Sequence, residues 1–379
     1  MAGIYIHIPF CKTPCNYCNF HFSTSLNMKN EYINALLKEI ELQSIYLGLE
    51  KVETIYFGGG TPSLLEEKDL GVIFETLYKT FIFSDNVEIT LEANPDDISS
   101  DTLKTWKKAG INRLSIGTQS FIERDLKFMQ RAHTVKQAKE SINLAAKYGF
   151  NNITIDLIYG TPKLTNAEWQ ENLEFANNLP IQHLSCYALT VEENTILYHQ
   201  IRKGKTIAPK DRKASEQFDI LMEFAKNNNF EHYETSNFCK PNYISKHNAS
   251  YWQGKKYLGL GASAHSFNGF TRQWNIANNK KYIESLNENK IPFELENLSE
   301  TDRLNEYIMT GLRTKWGIDL NYVETNFKKK KELMNKIGNE ETSFFEWKIK
   351  RNEQGVSFIY TLSNKGKHFA DRIASNLFF

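Results

Sequence analysis

Residues 5–18, YIHIPFCKTPCNYC, decide the fold, because an apolar run typical of a strand leads directly into three closely spaced cysteines. Cys11, Cys15 and Cys18 follow the spacing C-x3-C-x2-C, while the other two of the five cysteines, Cys186 and Cys239, stand apart. Five cysteines are too few to cross-link a chain of 379 residues. In a reducing compartment, such a cluster indicates metal binding or redox chemistry before it indicates disulfides.

Two kinds of metal centre fit this triplet. Three thiolates on one loop can hold one face of an iron–sulfur cluster and leave one iron without a protein ligand. The alternative is a structural zinc ion, with His7 or His21 as its fourth ligand. The glycine run and the strand-end carboxylates farther along the chain favour the iron–sulfur cluster, because a zinc site would not explain them.

Outward from this loop, the first 230 residues alternate short apolar runs with amphipathic stretches of helical length. The predicted strands are residues 3–8, 52–57, 87–92, 112–116, 152–158 and 183–189. The clearest predicted helices are residues 30–46, 68–81, 135–148 and 167–178. Six such repeats predict parallel strands joined by right-handed crossovers. The pattern alone leaves open a doubly wound sheet and a complete or partial barrel.

After residue 230 this alternation stops. Residues 231–298 are rich in Asn, Tyr and Gly with irregular spacing, and we interpret them as a connecting segment. Residues 299–379 read as helices, then two strands at 343–349 and 355–362 joined by a turn at 351–355, then a last helix. That order predicts a small winged-helix-like α+β module.

The composition limits the class of protein. Hydrophobic residues make up 41% of the chain and charged residues 24%, which excludes a disordered chain. The net charge of +1 lacks the basic excess of a nucleic-acid binder, so we expect no nucleic-acid partner. There is no run of about 18 apolar residues to span a membrane and no secretory signal, so the sequence predicts a cytoplasmic protein without a transmembrane segment.

Chemically active side chains follow the predicted strands. Glu92, Gln119 and Asp156 each lie at or near a strand end, and the run Gly58-Gly-Gly-Thr-Pro62 follows the second strand. Since the carboxyl ends of parallel strands meet at one rim, we expect these residues to lie near the cysteine loop. Glycines in this run would let the backbone approach a cofactor closely.

Together, the cysteine loop and the glycine run resemble the radical S-adenosylmethionine superfamily, and more narrowly its coproporphyrinogen dehydrogenase-like branch. The resemblance covers essentially the whole chain. It implies an α/β fold with a partial (β/α)6 barrel of the radical S-adenosylmethionine type, followed by the smaller C-terminal module. It also implies a 4Fe-4S cluster on Cys11, Cys15 and Cys18, with S-adenosylmethionine on the open iron.

The resemblance further assigns contacts with S-adenosylmethionine. The residues that match such positions are Tyr5, Tyr17, Gly59, Gly60, Thr61, Glu92, Gln119, Arg131 and Asp156. Taken alone, each would more often be a structural residue, so this assignment depends on the family.

Three features favour the HemW-type haem chaperones over the oxygen-independent coproporphyrinogen oxidases within this branch. The oxidases carry a fourth cysteine where this chain has Phe20. They also carry a substantial segment before the cluster, whereas ten residues precede Cys11 here. Finally, His247-Asn-Ala-Ser-Tyr-Trp252 resembles the H-N-x-x-Y-W signature of the chaperones, which implies haem contacts at His247, Tyr251 and Trp252.

The leading hypothesis is therefore a protein that binds haem and transfers it to an acceptor protein, with an electron donor for its cluster. The alternative is an enzyme that decarboxylates two propionates of coproporphyrinogen III to give protoporphyrinogen IX. A third hypothesis makes the C-terminal module a DNA-binding winged helix and the cluster a redox sensor, which the balanced charge disfavours.

Overall fold

A computed structural model describes residues 2–352 and 355–379 of the chain. Its first six strands are β1 (Ala2–Ile8), β2 (Val52–Gly59), β3 (Phe83–Ala93), β4 (Arg113–Gln119), β5 (Ile153–Tyr159) and β6 (His183–Ala188). Six shorter strands follow: β7 (Glu231–Glu234), β8 (Asn237–Cys239), β9 (Lys256–Leu260), β10 (His265–Phe267), β11 (Thr271–Asn275) and β12 (Phe293–Asn297). The C-terminal strands are β13 (Ile318–Asp319), β14 (Phe345–Asn352) and β15 (Gly355–Leu362).

Helices separate and cover these strands. Over the first 230 residues they are α1 (Lys29–Leu42), α2 (Glu67–Thr80), α3 (Ser100–Lys108), α4 (Glu123–Phe128), α5 (Val135–Lys147), α6 (Asn166–Asn177), α7 (Ile196–Arg202) and α8 (Asp211–Asn227). The rest are α9 (Lys246–Trp252), α10 (Asn279–Asn287), α11 (Glu300–Leu312), α12 (Leu320–Phe327), α13 (Lys330–Gly338), α14 (Asn364–Lys367) and α15 (Ala370–Leu377). The starts of α5 and α6 follow from capping boxes, in which the hydroxyls of Thr134 and Thr165 accept from backbone amides of the first turn.

Strands β1 to β6 pair in parallel and in chain order within a 12-stranded sheet. A doubly wound sheet would reverse its strand order at a switch point, and this run of six strands has no such reversal. The predicted α/β class, with a partial (β/α)6 barrel and a smaller C-terminal module, is confirmed. One face of these strands carries the hydrophobic core, in which Ile4, Ile6 and Ile155 are fully buried, and the other face contributes Tyr56 and Asp156 to a cavity.

The segment 231–298 extends the sheet at both ends. Strand β8 pairs antiparallel with β6, and β9 pairs parallel with β1. The sequence showed no strands here because most of them have only three to five residues and no alternating pattern, so their partners define them. The division at residues 230 and 298 stays a prediction.

The C-terminal module has its own hydrophobic cluster, which includes Leu304, Ile308, Ile373 and Leu377. Strands β14 and β15 pair antiparallel as a hairpin, and residues 353 and 354 of the predicted turn lie outside the described residues. Across residues 2–352 and 355–379, no helix has both the length and the apolar character needed to cross a bilayer.

Candidate functional site

A cavity of about 750 Å³ opens at the carboxyl ends of the parallel strands. The predicted residues that line it are Cys11, Cys15, Tyr17, Cys18, Gly59, Gly60, Thr61, Glu92, Gln119, Arg131 and Asp156. The structure therefore brings together the three cysteines and eight of the nine residues predicted to contact S-adenosylmethionine. Tyr5 is not part of the cavity lining.

The three cysteines at the mouth of the cavity are free thiols. Burial raises the pKa of Cys11, and it raises the pKa of Cys18 to about 11. A bound metal must therefore displace thiol protons. Of the described residues that line the cavity, no others are cysteines or histidines. A set of three sulfur donors fits a four-iron cluster with one iron left open.

The zinc alternative requires a fourth ligand, and among the described residues neither His7 nor His21 is placed to supply it. His7 Nε2 donates to the carbonyl oxygen of His21 at 2.9 Å, and His21 Nε2 lies 2.7 Å from Asn279 Oδ1. Neither ring lines the cavity. Within the described part of the chain, no group of three or more His, Cys, Asp or Glu side chains is arranged to hold a single metal ion.

The glycine run packs against β1 and the cysteine loop. A Cβ atom on Gly59, whose φ is +110°, would lie 2.5 Å from the ring of His7. A Cβ on Gly60 would lie 2.7 Å from the carbonyl oxygen of Phe10. Protein atoms thus already require glycine at both positions, while their backbones still line the cavity. The fit against these protein atoms is a second reason for glycine here, beside the close approach to a cofactor that the sequence predicts.

Two carboxyl groups lie at the floor of the cavity. Glu92 accepts from the hydroxyl of Tyr56 at 2.8 Å and from the amide of Gly59 at 3.2 Å. Burial raises the pKa of Glu92 to about 7 and that of Asp156 to about 6. Ser115 donates to Asp156 at 3.4 Å. Both carboxyl groups accept hydrogen bonds from neighbouring residues. A ligand with a cationic group or hydroxyl groups would stabilise their ionised forms.

Arg131 connects the cysteine loop with the strand ends. It donates to Cys15 Sγ at 3.0 Å, to Asn94 Oδ1 at 2.6 Å and to the carbonyl of Gly117 at 3.0 Å. Its buried Nε has no hydrogen-bond partner among the described residues. A ligand carboxylate would satisfy that donor, so the site fits a molecule with a carboxylate such as S-adenosylmethionine.

Gln119 ends β4 in the left-handed region, with φ of +65°. Backbone strain of this kind in a non-glycine residue is concentrated at functional sites. The sequence identified Gln119 by its position after a strand, but it did not identify Tyr56 or Asn94. Both act through long-range contacts, and no local motif marks them.

The predicted haem motif lies on α9, where Asn248 lines the cavity and His247, Tyr251 and Trp252 do not. His247 is 1% exposed, and its two ring nitrogens lie 2.8 Å from Thr54 Oγ1 and 2.8 Å from the hydroxyl of Tyr251. Tyr5 stacks against the same imidazole, with ring centroids 6.4 Å apart. Trp252 packs under the guanidinium of Arg313. Haem contact at His247, Tyr251 and Trp252 stays a prediction.

The C-terminal module also reaches the cavity, through Arg313 and Asp371. No motif in the sequence marks these two residues, and each lies more than 120 positions after β6. Phe20 and Tyr187 line the cavity with large exposed rings, 67% and 44% exposed.

Comparison with known proteins agrees with this geometry. The profile of the Radical SAM superfamily matches residues 5–176. A heme chaperone HemW from Bacillus subtilis (strain 168) is 36% identical over 321 residues, which cover 84% of this chain and 85% of that protein. The chain belongs to the HemW family of the radical SAM superfamily. A heme chaperone HemW from Lactococcus lactis is 34% identical over 325 residues, covering 86% of this chain and 84% of the relative.

Membership of this superfamily implies a 4Fe-4S cluster and S-adenosylmethionine. Among solved structures, coproporphyrinogen III oxidase (HemN) from Escherichia coli, a radical SAM enzyme, superposes with a TM-score of 0.84. The match covers 99% of this chain and 89% of that structure at 20% identity. At that identity, the likeness supports the fold of the HemW family member and not the activity of the oxidase.

Proposed function

We propose that this protein is a cytoplasmic haem chaperone that binds haem and transfers it to an acceptor protein. The observation that carries the proposal is its likeness, over 84% of the chain, to a relative named as a heme chaperone. The exposed aromatic rings of Phe20 and Tyr187 in the cavity support it, because flat apolar surface suits a porphyrin face.

We assign the cluster to Cys11, Cys15 and Cys18, with S-adenosylmethionine between the glycine run, Arg131 and the strand-end carboxylates. When bound, these groups supply one-electron radical chemistry. The chain contributes the three thiolates and the donors and acceptors that orient the ligand. An electron donor is required to reduce such a cluster.

Haem contact through the H-N-x-x-Y-W motif is supported by the sequence signature. In the structure, ligation by His247 would require its ring to leave the bonds to Thr54 and Tyr251. The double variant His247→Ala plus Trp252→Ala tests this assignment. Haem absorbance and affinity equal to those of the wild type would remove these residues from the haem site.

The decisive experiment is anaerobic reconstitution with iron and sulfide, followed by two separate assays of the full chain. A haem titration is expected to show uptake at about one haem per chain, followed by transfer to a haem-binding acceptor. Reconstituted protein that takes up no haem would refute the chaperone function.

The oxidase is the second candidate, because the resemblance of the cysteine loop and the glycine run to the coproporphyrinogen dehydrogenase-like branch includes it. Incubation with coproporphyrinogen III, S-adenosylmethionine and a reductant is expected to leave the substrate unchanged. Formation of protoporphyrinogen IX would overturn our preference for the chaperone.

A further inference from the structure

We propose that Arg313 of the C-terminal module binds a propionate carboxylate of haem in the cavity. The inference rests on the proposed haem-binding function and names a group that selects the ligand. It gives the C-terminal module a part in binding the ligand.

The backbone holds Arg313 at the edge of the cavity. Its carbonyl oxygen accepts from the amide of Thr235 at 3.0 Å and from the hydroxyl of the same residue at 3.3 Å. The amide of Lys315 donates to the carbonyl of Tyr233 at 2.9 Å. These bonds fix the backbone on both sides of Thr314. The side chain of Arg313 therefore extends from a fixed backbone position at the cavity edge. It lies 5.4 Å from the ring centroid of Trp252.

Arg313 is the cation of the cavity that a ligand can recruit most readily. The cationic residues of the described lining are Lys12, Arg131 and Arg313. Lys12 pairs with Asp97 and also lies 3.8 Å from Asp96, and Arg131 is bound to Cys15 and two strand ends. Among the described residues, the ion-pair partner of Arg313 is Asp371, whose carboxylate is 77% exposed, while the charge of Arg313 also acts on the buried carboxyl group of Glu234.

The pair with Asp371 is replaceable. Exposed ion pairs contribute little to stability, so a ligand carboxylate can take the place of Asp371 at small cost. The Nε of Arg313 has no hydrogen-bond partner in the described part of the chain. The guanidinium therefore has unused donor capacity, and planar guanidinium groups bind carboxylates through two hydrogen bonds.

The sheet order favours haem over S-adenosylmethionine as the source of this carboxylate. Thr235, which anchors Arg313, follows β7 on the far side of β6. The cysteine loop and the glycine run follow β1 and β2, at the other end of the six parallel strands. Arg131, which donates to Cys15, already supplies a guanidinium at that end of the cavity.

The test compares haem with haem dimethyl ester, in which both propionates are neutral, on reconstituted full-chain protein. The wild type is expected to bind haem about tenfold more tightly than the ester, and Arg313→Gln to lose most of that preference. Arg303→Gln is the matched control. Arg303 lies on α11 in the same module, 5.3 Å over the ring of Phe270, and outside the cavity lining.

Each result separates the possibilities. Equal preference for haem in the wild type and in Arg313→Gln would overturn the inference and leave the chaperone function intact. Weaker S-adenosylmethionine binding in Arg313→Gln with unchanged haem binding would assign the arginine to the other ligand and also overturn it. Wild-type protein that binds neither porphyrin would refute the proposed function itself.

Discussion

Cys15 connects the cysteine loop with Arg131, because its sulfur accepts from that guanidinium at 3.0 Å. We expect Cys15→Ala to lose the cluster, since two thiols cannot hold the three protein-bound irons. Iron and sulfide per chain after anaerobic reconstitution are expected to fall to near zero. Cys186→Ala is the control, because Cys186 is buried in β6 and does not line the cavity. Full iron content in Cys15→Ala would contradict the assigned ligands.

The buried carboxyl group of Glu92 is expected to make the free energy of unfolding of the apoprotein depend on pH. Burial raises its pKa from 4.5 to about 7, so the folded cofactor-free protein holds this proton more tightly than the unfolded chain. Its contribution to the free energy of unfolding therefore falls as the pH rises from 4.5 towards about 7. Glu92→Gln stays neutral and is expected to reduce this slope. Denaturant midpoints of the apoprotein at about pH 5 and about pH 8 measure it.

The control for this pH series is Glu41→Gln, an exposed position at the end of α1. It should retain the slope of the wild type. Asp156, whose pKa burial raises to about 6, keeps part of the slope in Glu92→Gln. An unchanged slope in Glu92→Gln would mean that the carboxyl group is ionised throughout this range.

At the scale of elements, the turn after β2 fixes the distance between the second strand and the cysteine loop. We expect Gly59→Ala to lower the free energy of unfolding by about 3 kcal/mol or more, through overlap with His7 and the positive φ. Gly48→Ala separates the two causes, because Gly48 has φ of +59° but no atom within 4 Å of the added Cβ. Gly48→Ala is expected to lower the free energy of unfolding by about 1 kcal/mol. Equal losses in denaturant unfolding would show that the contact with His7 has no effect.

The elements differ in how far the sequence predicted them. Strands β1 to β6 were predicted to within a few residues, apart from the earlier start of β3, because their apolar runs are long and bounded by helices. Strands β7 to β12 were not, because they have only three to five residues each and the pairings that join them to the barrel strands β1 and β6 are distant in the chain. Strand β9, for example, pairs with β1 across more than 240 residues.

At the scale of the whole molecule, the barrel and the C-terminal module have separate hydrophobic clusters. Ile373 is fully buried in the module. We expect Ile373→Ala to lower the free energy of unfolding by about 2–5 kcal/mol. Because the clusters are separate, hydrogen exchange should rise in residues 300–379 while β1 to β6 stay protected. Ile155→Ala in β5 is the matched control and should affect the sheet. Loss of protection throughout the molecule in Ile373→Ala would show a single cooperative unit.

The sequence by itself determined the α/β class, the cysteine loop, the glycine run and the carboxylates at the strand ends. Each of these depends on local spacing, and the parallel strands bring their ends to one rim. Only the tertiary structure decided that Tyr56 holds Glu92, that His247 is buried with both nitrogens bonded, and that Arg313 reaches the cavity. Apart from the bond of His247 to Tyr251, these contacts join residues far apart in the chain, and a one-dimensional pattern carries no record of which distant side chains the packing brings together.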